Sequence, residues 1–360
     1  MTGEIPQNTD RAMRGNQLSS PGVEMPGQRP GPPVSGSEPQ VDFPPVLNGL
    51  DYLASVVEHL SDHATPRDLK YAVLHLQAGT EVLLKARLRQ AHWTLVLQDL
   101  SAELRKSRKT PVSERFASGN FVSCGIDETL KRLREVLGLD LDSEHLAAVA
   151  KLGQTRNALQ HYGLTQSAPA VEAQAATVLD FLLAFLHEHL LPHLDAAEQA
   201  QVETAMDDIR HRLGTITELI HTRMNGIKDV LAPYADVTVD CPDCGMPALV
   251  AGTPVACRFC YRTWTDAESA TADYIYADMV RRAALDPRDN EEALVHWCPR
   301  CDTPTIIDVE RDWSFYLCLG CAAVFDTLIW CKKGCGSLID PKTNDFDICP
   351  ACMARLRENT

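Results

Sequence analysis

Twelve cysteines between residues 241 and 352 fall into six close pairs, and this pattern restricts the fold more than anything else in the chain. Cys241 and Cys244 bracket Pro-Asp, Cys257 and Cys260 bracket Arg-Phe, Cys298 and Cys301 bracket Pro-Arg, and Cys318 and Cys321 bracket Leu-Gly. Cys331 and Cys335 stand one residue wider, and Cys349 and Cys352 bracket Pro-Ala. The gaps inside successive couples are 12, 16 and 13 residues, and those between couples are 37 and 9. Two thiolates on one tight turn can both reach a tetrahedral cation at about 2.3 Å, and a short hairpin returns the chain with the second pair.

The spacing therefore predicts three structural Zn2+ ions, held by Cys241, Cys244, Cys257 and Cys260, by Cys298, Cys301, Cys318 and Cys321, and by Cys331, Cys335, Cys349 and Cys352. Iron–sulfur clusters also take four thiolates, but the ribbon-length gaps favour zinc. Four protein ligands close each site, which suits scaffolding and not catalysis. Gly245, Gly320, Gly334 and Gly336 are expected to let backbone N–H groups face sulfur. Ala248–Ala251, Thr305–Asp308 and Ser314–Leu317 read as the hairpin strands. His296 is not needed as a ligand. Cys124 is left over as an ordinary buried thiol. No export signal accompanies the cysteines, so a disulfide framework is not expected.

The rest of the chain reads as helical. Residues 1–43, rich in Pro, Gly, Ser and Gln, are expected to be a disordered tail. Residues 44–194 carry helical periodicity: Thr65-Pro66-Arg67-Asp68 is a helix start, Leu69, Val73, Leu76 and Leu83 give its apolar face, and Gly138 and Gly163 end two later helices. Residues 93–120 show no clear pattern. A long connecting helix is expected over 195–235, where Val202, Met206, Ile209, Leu213, Ile216 and Ile220 recur in heptad fashion, either as a dimer seam or as a face packed on its own domain. Zinc ribbons over 236–265, 293–328 and 329–356, with a helical linker over 266–292, complete the order. The fold class is a mainly α N-terminal bundle followed by small β-rich zinc ribbons at the C-terminus.

Charge limits the partners. The formal net charge of −15 is spread as −5 over residues 41–200, −3 over 201–240 and −6 over 241–360. Indiscriminate nucleic-acid binding, which needs many cationic contacts to phosphate, is disfavoured. One local basic stretch, Arg105, Lys106, Arg108, Lys109 and Arg115, is a candidate substrate-binding surface or else a solvated helix end. The greasiest stretch, Val178–Leu186, is about half a membrane span, so a cytoplasmic protein without a membrane segment is expected. His187, His189 and His193 read as surface or capping histidines. Trp297, Trp313, Phe315 and Tyr316 offer either a contact patch or hairpin core.

One helix end stands out. Val149, Leu152 and Leu159 set an apolar stripe, and Arg156 falls on it where an apolar residue is expected. Such an arginine needs a partner, an interface or a wet cleft. Asn157 and His161, four apart, share the neighbouring face. Arg156-Asn157-Ala-Leu-Gln-His161 in an all-α domain resembles the HEPN superfamily, over roughly residues 45–192. The resemblance implies a metal-independent endoribonuclease in which Arg156 holds the scissile phosphate, His161 transfers protons and Asn157 orients the histidine or a phosphate oxygen. It also implies a homodimer whose two Arg–His sets line one cleft, with RNA as substrate and a toxin or defence role. The zinc ribbons would dock nucleic acid or protein, and their acidity favours protein. The alternative is a non-catalytic zinc-ribbon adaptor whose helical domain dimerises.

Overall fold

Thr65 caps the helix around which the N-terminal half is built. Its hydroxyl accepts from the Asp68 N–H, the Asp68 carboxylate accepts from the Thr65 N–H at 3.0 Å, and Pro66 fills the first turn. This reciprocal box satisfies two donors that a helix start leaves open. The computed structural model describes residues 42–60, 64–107, 110–285, 295–310 and 314–358. The tail expected over 1–43 lies almost wholly outside the described residues, and Arg108, Lys109 and Trp313 also lie outside them.

Helices α1 (Pro45–His59), α2 (Pro66–Ala91), α3 (Leu100–Lys106), α4 (Val112–Ala117), α5 (Ile126–Glu135), α6 (Ser143–His161), α7 (Ala168–Phe185), α8 (Ala196–Leu213) and α9 (Thr217–Leu231) make the N-terminal bundle. The central helix is α2, packed by α1, α5, α6 and α7, with Leu69, Val73, Leu76, Leu83, Leu84 and Leu88 buried. The stretch without sequence pattern, 93–120, holds a short 3-10 turn and the two short helices α3 and α4. Helix α7 continues through a π-turn to His193, giving a 26-residue run apolar enough to cross a membrane by composition. It is a core helix here: Val178, Leu179, Leu182 and Leu183 are at most 1% exposed.

Two helices stand where one long helix over 195–235 is expected, because α8 and α9 are separated by a turn at Gly214. Gly214 is pressed against the first ribbon, and a Cβ there would lie 2.0 Å from the Cys244 carbonyl oxygen. Val202, Met206, Ile209, Leu213 and Ile216 are all buried in this chain's own core, so the heptad-like stripe is a packing face and not an open seam.

The C-terminal third is three small antiparallel sheets. The first contains β1 (Thr238–Asp240), β2 (Pro247–Val250), β3 (Val255–Cys257) and β4 (Thr263–Trp264) in sequence order, with Val239 opposite Leu249 and Leu249 opposite Cys257. Helix α10 (Ala267–Leu285) follows, anchored where the Trp264 indole N–H donates to Asp273 at 2.7 Å. The second sheet is β5 (Ile306–Glu310), β6 (Ser314–Cys318) and β7 (Val324–Phe325), with Ile307 opposite Leu317. The third pairs β8 (Ile329–Trp330) with β9 (Leu338–Ile339), and α11 (Pro350–Glu358) closes the chain. Phe43–Thr360 form one compact unit, and the bundle core runs without a break into the first ribbon through Val239, Leu249, Phe259 and Trp264.

Candidate metal centres and a polar helix end

Each ribbon brings its four cysteines to one point. The three groups are the ones expected from spacing, and within each group all four sulfurs lie within 4.8 Å of one another. Across the first, Cys241 and Cys260 sulfurs are 3.8 Å apart and those of Cys244 and Cys257 are 3.7 Å apart. The second gives 3.9 Å for Cys298–Cys321 and 3.6 Å for Cys301–Cys318, and the third gives 3.5 Å for Cys335–Cys349. A regular tetrahedron with about 2.3 Å metal–sulfur bonds has edges of about 3.8 Å. A disulfide, with sulfurs about 2.05 Å apart, does not fit these separations. The donor set thus fits a tetrahedral metal ion at each of the three groups.

The turns that hold the sulfurs are copies of one another. In the first four pairs the residue after the second cysteine donates its N–H to the carbonyl of the first: Gly245 to Cys241 at 2.8 Å, Tyr261 to Cys257 at 3.0 Å, Asp302 to Cys298 at 2.9 Å and Ala322 to Cys318 at 3.0 Å. All four have positive φ, between 55° and 72°. Only the first is glycine, so the glycine rule misses three of the four positions that need this conformation. Backbone N–H groups also point at sulfur, from Cys260 to Cys257 at 3.5 Å, Cys321 to Cys318 at 3.3 Å and Cys352 to Cys349 at 3.4 Å. Hydrogen bonds accepted from Cys298, from the Cys321 N–H and from Thr305 outweigh burial and pull the Cys318 thiol down to about 4. The neighbouring Cys321 is pushed up to about 11 by burial. Four sulfurs this close ionise together only with a cation among them.

The first ribbon is locked to the bundle by buried cations. Arg223 of α9, 2% exposed, pairs with Asp180 of α7 and donates to the carbonyls of Phe259 and Arg258, inside the Cys257–Cys260 turn. Its guanidinium also lies 4.3 Å from the Tyr261 ring centroid, and His187 stacks on that ring at 4.4 Å. His187 is therefore a half-buried packing residue and not a surface histidine. On the other side Arg210, also 2% exposed, bonds Glu203 at 2.7 Å, and Arg262 reaches Glu203, Asp207 and Asp243 at 3.3–3.6 Å. Apart from Arg210–Glu203 within α8, these links join residues far apart in the chain and so carry no sequence signature.

Helix α6 places the other candidate residues. Asp142 caps it by accepting from the Glu144 and His145 N–H groups, and Val149, Leu152 and Thr155 form its fully buried face. Thr155, bonded to Gln174 at 3.1 Å, takes the inward position that the pattern assigned to Arg156. Arg156 is half-buried at the margin and donates to the Asn157 carbonyl oxygen at 2.8 Å. His161 is exposed in the last turn, its ring 5.9 Å from that of Tyr162, which is 86% exposed. Gly163, at φ 85°, ends the helix, and both its N–H and that of Tyr162 bond the Ala158 carbonyl. Among the described residues neither Arg156 nor His161 pairs with a carboxylate, and no hydrogen bond joins them to each other.

The other predicted groups are dispersed. Lys106 and Arg115 are both taken up by the buried Glu103 at 2.9 Å, and Arg105 lies 3.8 Å from Asp99. Trp297 is exposed while Phe315 is 3% exposed in the core, so the aromatic residues do not share one surface. Comparison with family models, with curated proteins and with solved structures finds no match for this chain.

Proposed function

We propose that the chain is a HEPN-type, metal-independent endoribonuclease whose C-terminal third is built on three structural Zn2+ ions. The observation that carries the catalytic reading is the placing of Arg156 and His161: a half-buried guanidinium, bonded to Asn157, and an exposed imidazole share one helix end, and among the described residues no carboxylate pairs with either. A cation left so placed suits a phosphate. Histidine suits proton transfer near neutral pH.

In the proposed reaction an imidazole takes the proton of an RNA 2′-hydroxyl and that oxygen attacks the adjacent phosphorus. The bond to the 5′-oxygen breaks, and the leaving oxygen receives a proton from a second imidazole. The products are a 2′,3′-cyclic phosphate and a 5′-hydroxyl, with no net change in protons. Arg156 neutralises the charge gathering on the phosphorane, and Asn157 fixes the guanidinium. Base and acid come from two copies of His161, which requires a homodimer. Zinc is favoured over an iron–sulfur cluster because the four sulfurs of each group lie within 4.8 Å of one another, a size that suits one ion. The ions stabilise the ribbons and leave a surface for protein docking.

The test uses the zinc-loaded chain and a short RNA with no added divalent metal. Expected are fragments ending in 2′,3′-cyclic phosphate, a loss of about 100- to 10,000-fold in His161→Ala, and a dimer by light scattering. A wild-type chain that binds RNA but never cleaves it would instead leave the non-catalytic adaptor.

A further inference from the structure

At the far end of α2 from the Arg156–His161 turn lies a cleft of about 390 Å³, lined by Arg89, His92, Trp93, Ser113 and Phe116. The two features are separate. Gly153, one turn before Arg156, faces Gln77, which precedes Arg89 by twelve residues, or about 18 Å of helix. The cleft walls are aromatic and layered. The Trp93 and Phe116 centroids are 5.1 Å apart, Phe116 stacks on Phe121 at 4.6 Å, and His92 stacks on Trp93 at 5.8 Å. The Arg89 guanidinium lies 5.9 Å from the Phe116 centroid. Among the described residues it faces no carboxylate, whereas Lys106 and Arg115 are already neutralised by Glu103 and Arg105 faces Asp99. Nor do the Trp93 indole N–H and the Ser113 hydroxyl have partners among the described residues. The sequence around the cleft is basic within an acidic chain: residues 85–116 hold eight Lys or Arg against three Asp or Glu, while the whole chain is −15.

From these features we infer that the cleft binds a nucleobase together with its phosphate, taken from single-stranded RNA. The aromatic layers accept a planar ring on its face, which every base offers. Arg89, exposed beside that ring, suits an anion there, and the indole and hydroxyl donors fit base or sugar oxygens. The depression is shallow and open, which suits one base lying on the rings and not an enclosed ligand. A cationic or purely aliphatic ligand would leave Arg89 opposed or unused. This site would hold a strand away from the helix end where cleavage is proposed, and it stands whether or not His161 cleaves.

The test measures fluorescence anisotropy of a 5′-labelled eight-nucleotide RNA on full-length His161→Ala protein, with AMP and UMP as competitors. Expected is saturable binding, weakened roughly 5- to 100-fold by Trp93→Ala. Arg89→Gln, on an exposed side chain, should weaken binding and lower the salt slope by about one phosphate contact. Displacement by a mononucleotide would identify a free-nucleotide site, and resistance to it a strand site; both support the cleft. No binding of the octamer or mononucleotide, or unchanged binding in both folded variants, would overturn it. Wild-type cleavage is assayed in parallel, so loss of the catalytic reading and loss of this site are told apart.

Discussion

The Arg223 guanidinium rests 4.3 Å from the centroid of Tyr261, the residue that follows the last cysteine of the first group. Behind it lies the half-buried Asp180 carboxylate, where burial, which raises its pKa, is outweighed by His145 and Arg223, which lower it. Removing the arginine leaves that carboxylate charged, poorly solvated and with only His145 beside it. Arg223→Leu is therefore expected to cost about 3–5 kcal/mol, read as a lower urea midpoint by far-ultraviolet circular dichroism. Unchanged stability would mean that this ion pair does not hold bundle and ribbon together.

The three metal groups should differ in what their loss does to the bundle. The sulfurs of the first belong to the same apolar core as α2 and α7, whereas Cys331, Cys349 and Cys352 close a small cluster of their own with Ile339. Cys257→Ser and Cys349→Ser should each lower the metal content from about three ions per chain to about two. Only Cys257→Ser should also lower the melting temperature of the helices. Cys349→Ser should leave the helical transition within about 0.5 kcal/mol of wild type. Equal effects on the helices would refute the asymmetry.

What was legible in the sequence follows from physics. Tetrahedral coordination demands paired thiolates, so all three groups could be read from spacing alone. The end of α6 was legible because Gly163 supplies the left-handed residue that a helix stop uses. Periodicity reports which residues face inward, not whether the backbone is continuous, so it joined α8 to α9. The reason for that break, the Cys244 carbonyl against Gly214, lies thirty residues further on. The aromatic cleft was hidden for a related reason. Its residues come from the last turn of α2, the 3-10 turn that follows it and the short helix α4, none long enough there to show a repeat.

His145 gives the pH dependence a sign. Its Nε2 lies 3.7 Å from Asp180, and that carboxylate, against the effect of burial, raises the imidazole pKa above the ordinary value. A raised folded value means that the charged form stabilises the fold. The contribution is complete below the unfolded value of about 6.5 and is lost as pH rises through the folded value. His75, His187 and His189 are lowered by burial and act in the opposite direction. The difference between wild type and His145→Gln isolates the term. That difference in melting temperature should be largest near pH 6 and shrink toward pH 9. A gap that widens with pH would contradict the assignment.

Gly214 and Gly226 provide the last contrast, since both adjoin or lie within helices and differ only in what surrounds them. Gly226 is exposed inside α9 with nothing within 4 Å of a Cβ position. Gly226→Ala should stabilise the chain by about 0.5–1 kcal/mol, because glycine gives up more backbone freedom in a helix than alanine does. At Gly214 the φ of −72° suits alanine equally well, so dihedral strain plays no part. Its Cβ would nonetheless meet the Cys244 oxygen at 2.0 Å and the carbonyl carbon at 3.1 Å. The obstacle is backbone in a metal-holding turn, which cannot swing aside as a side chain would. Gly214→Ala should therefore cost about 1–3 kcal/mol and speed metal release from the first group, followed with a chromogenic chelator. If Gly214→Ala melted at or above wild type, the close contact between α8 and the first ribbon would not exist in solution.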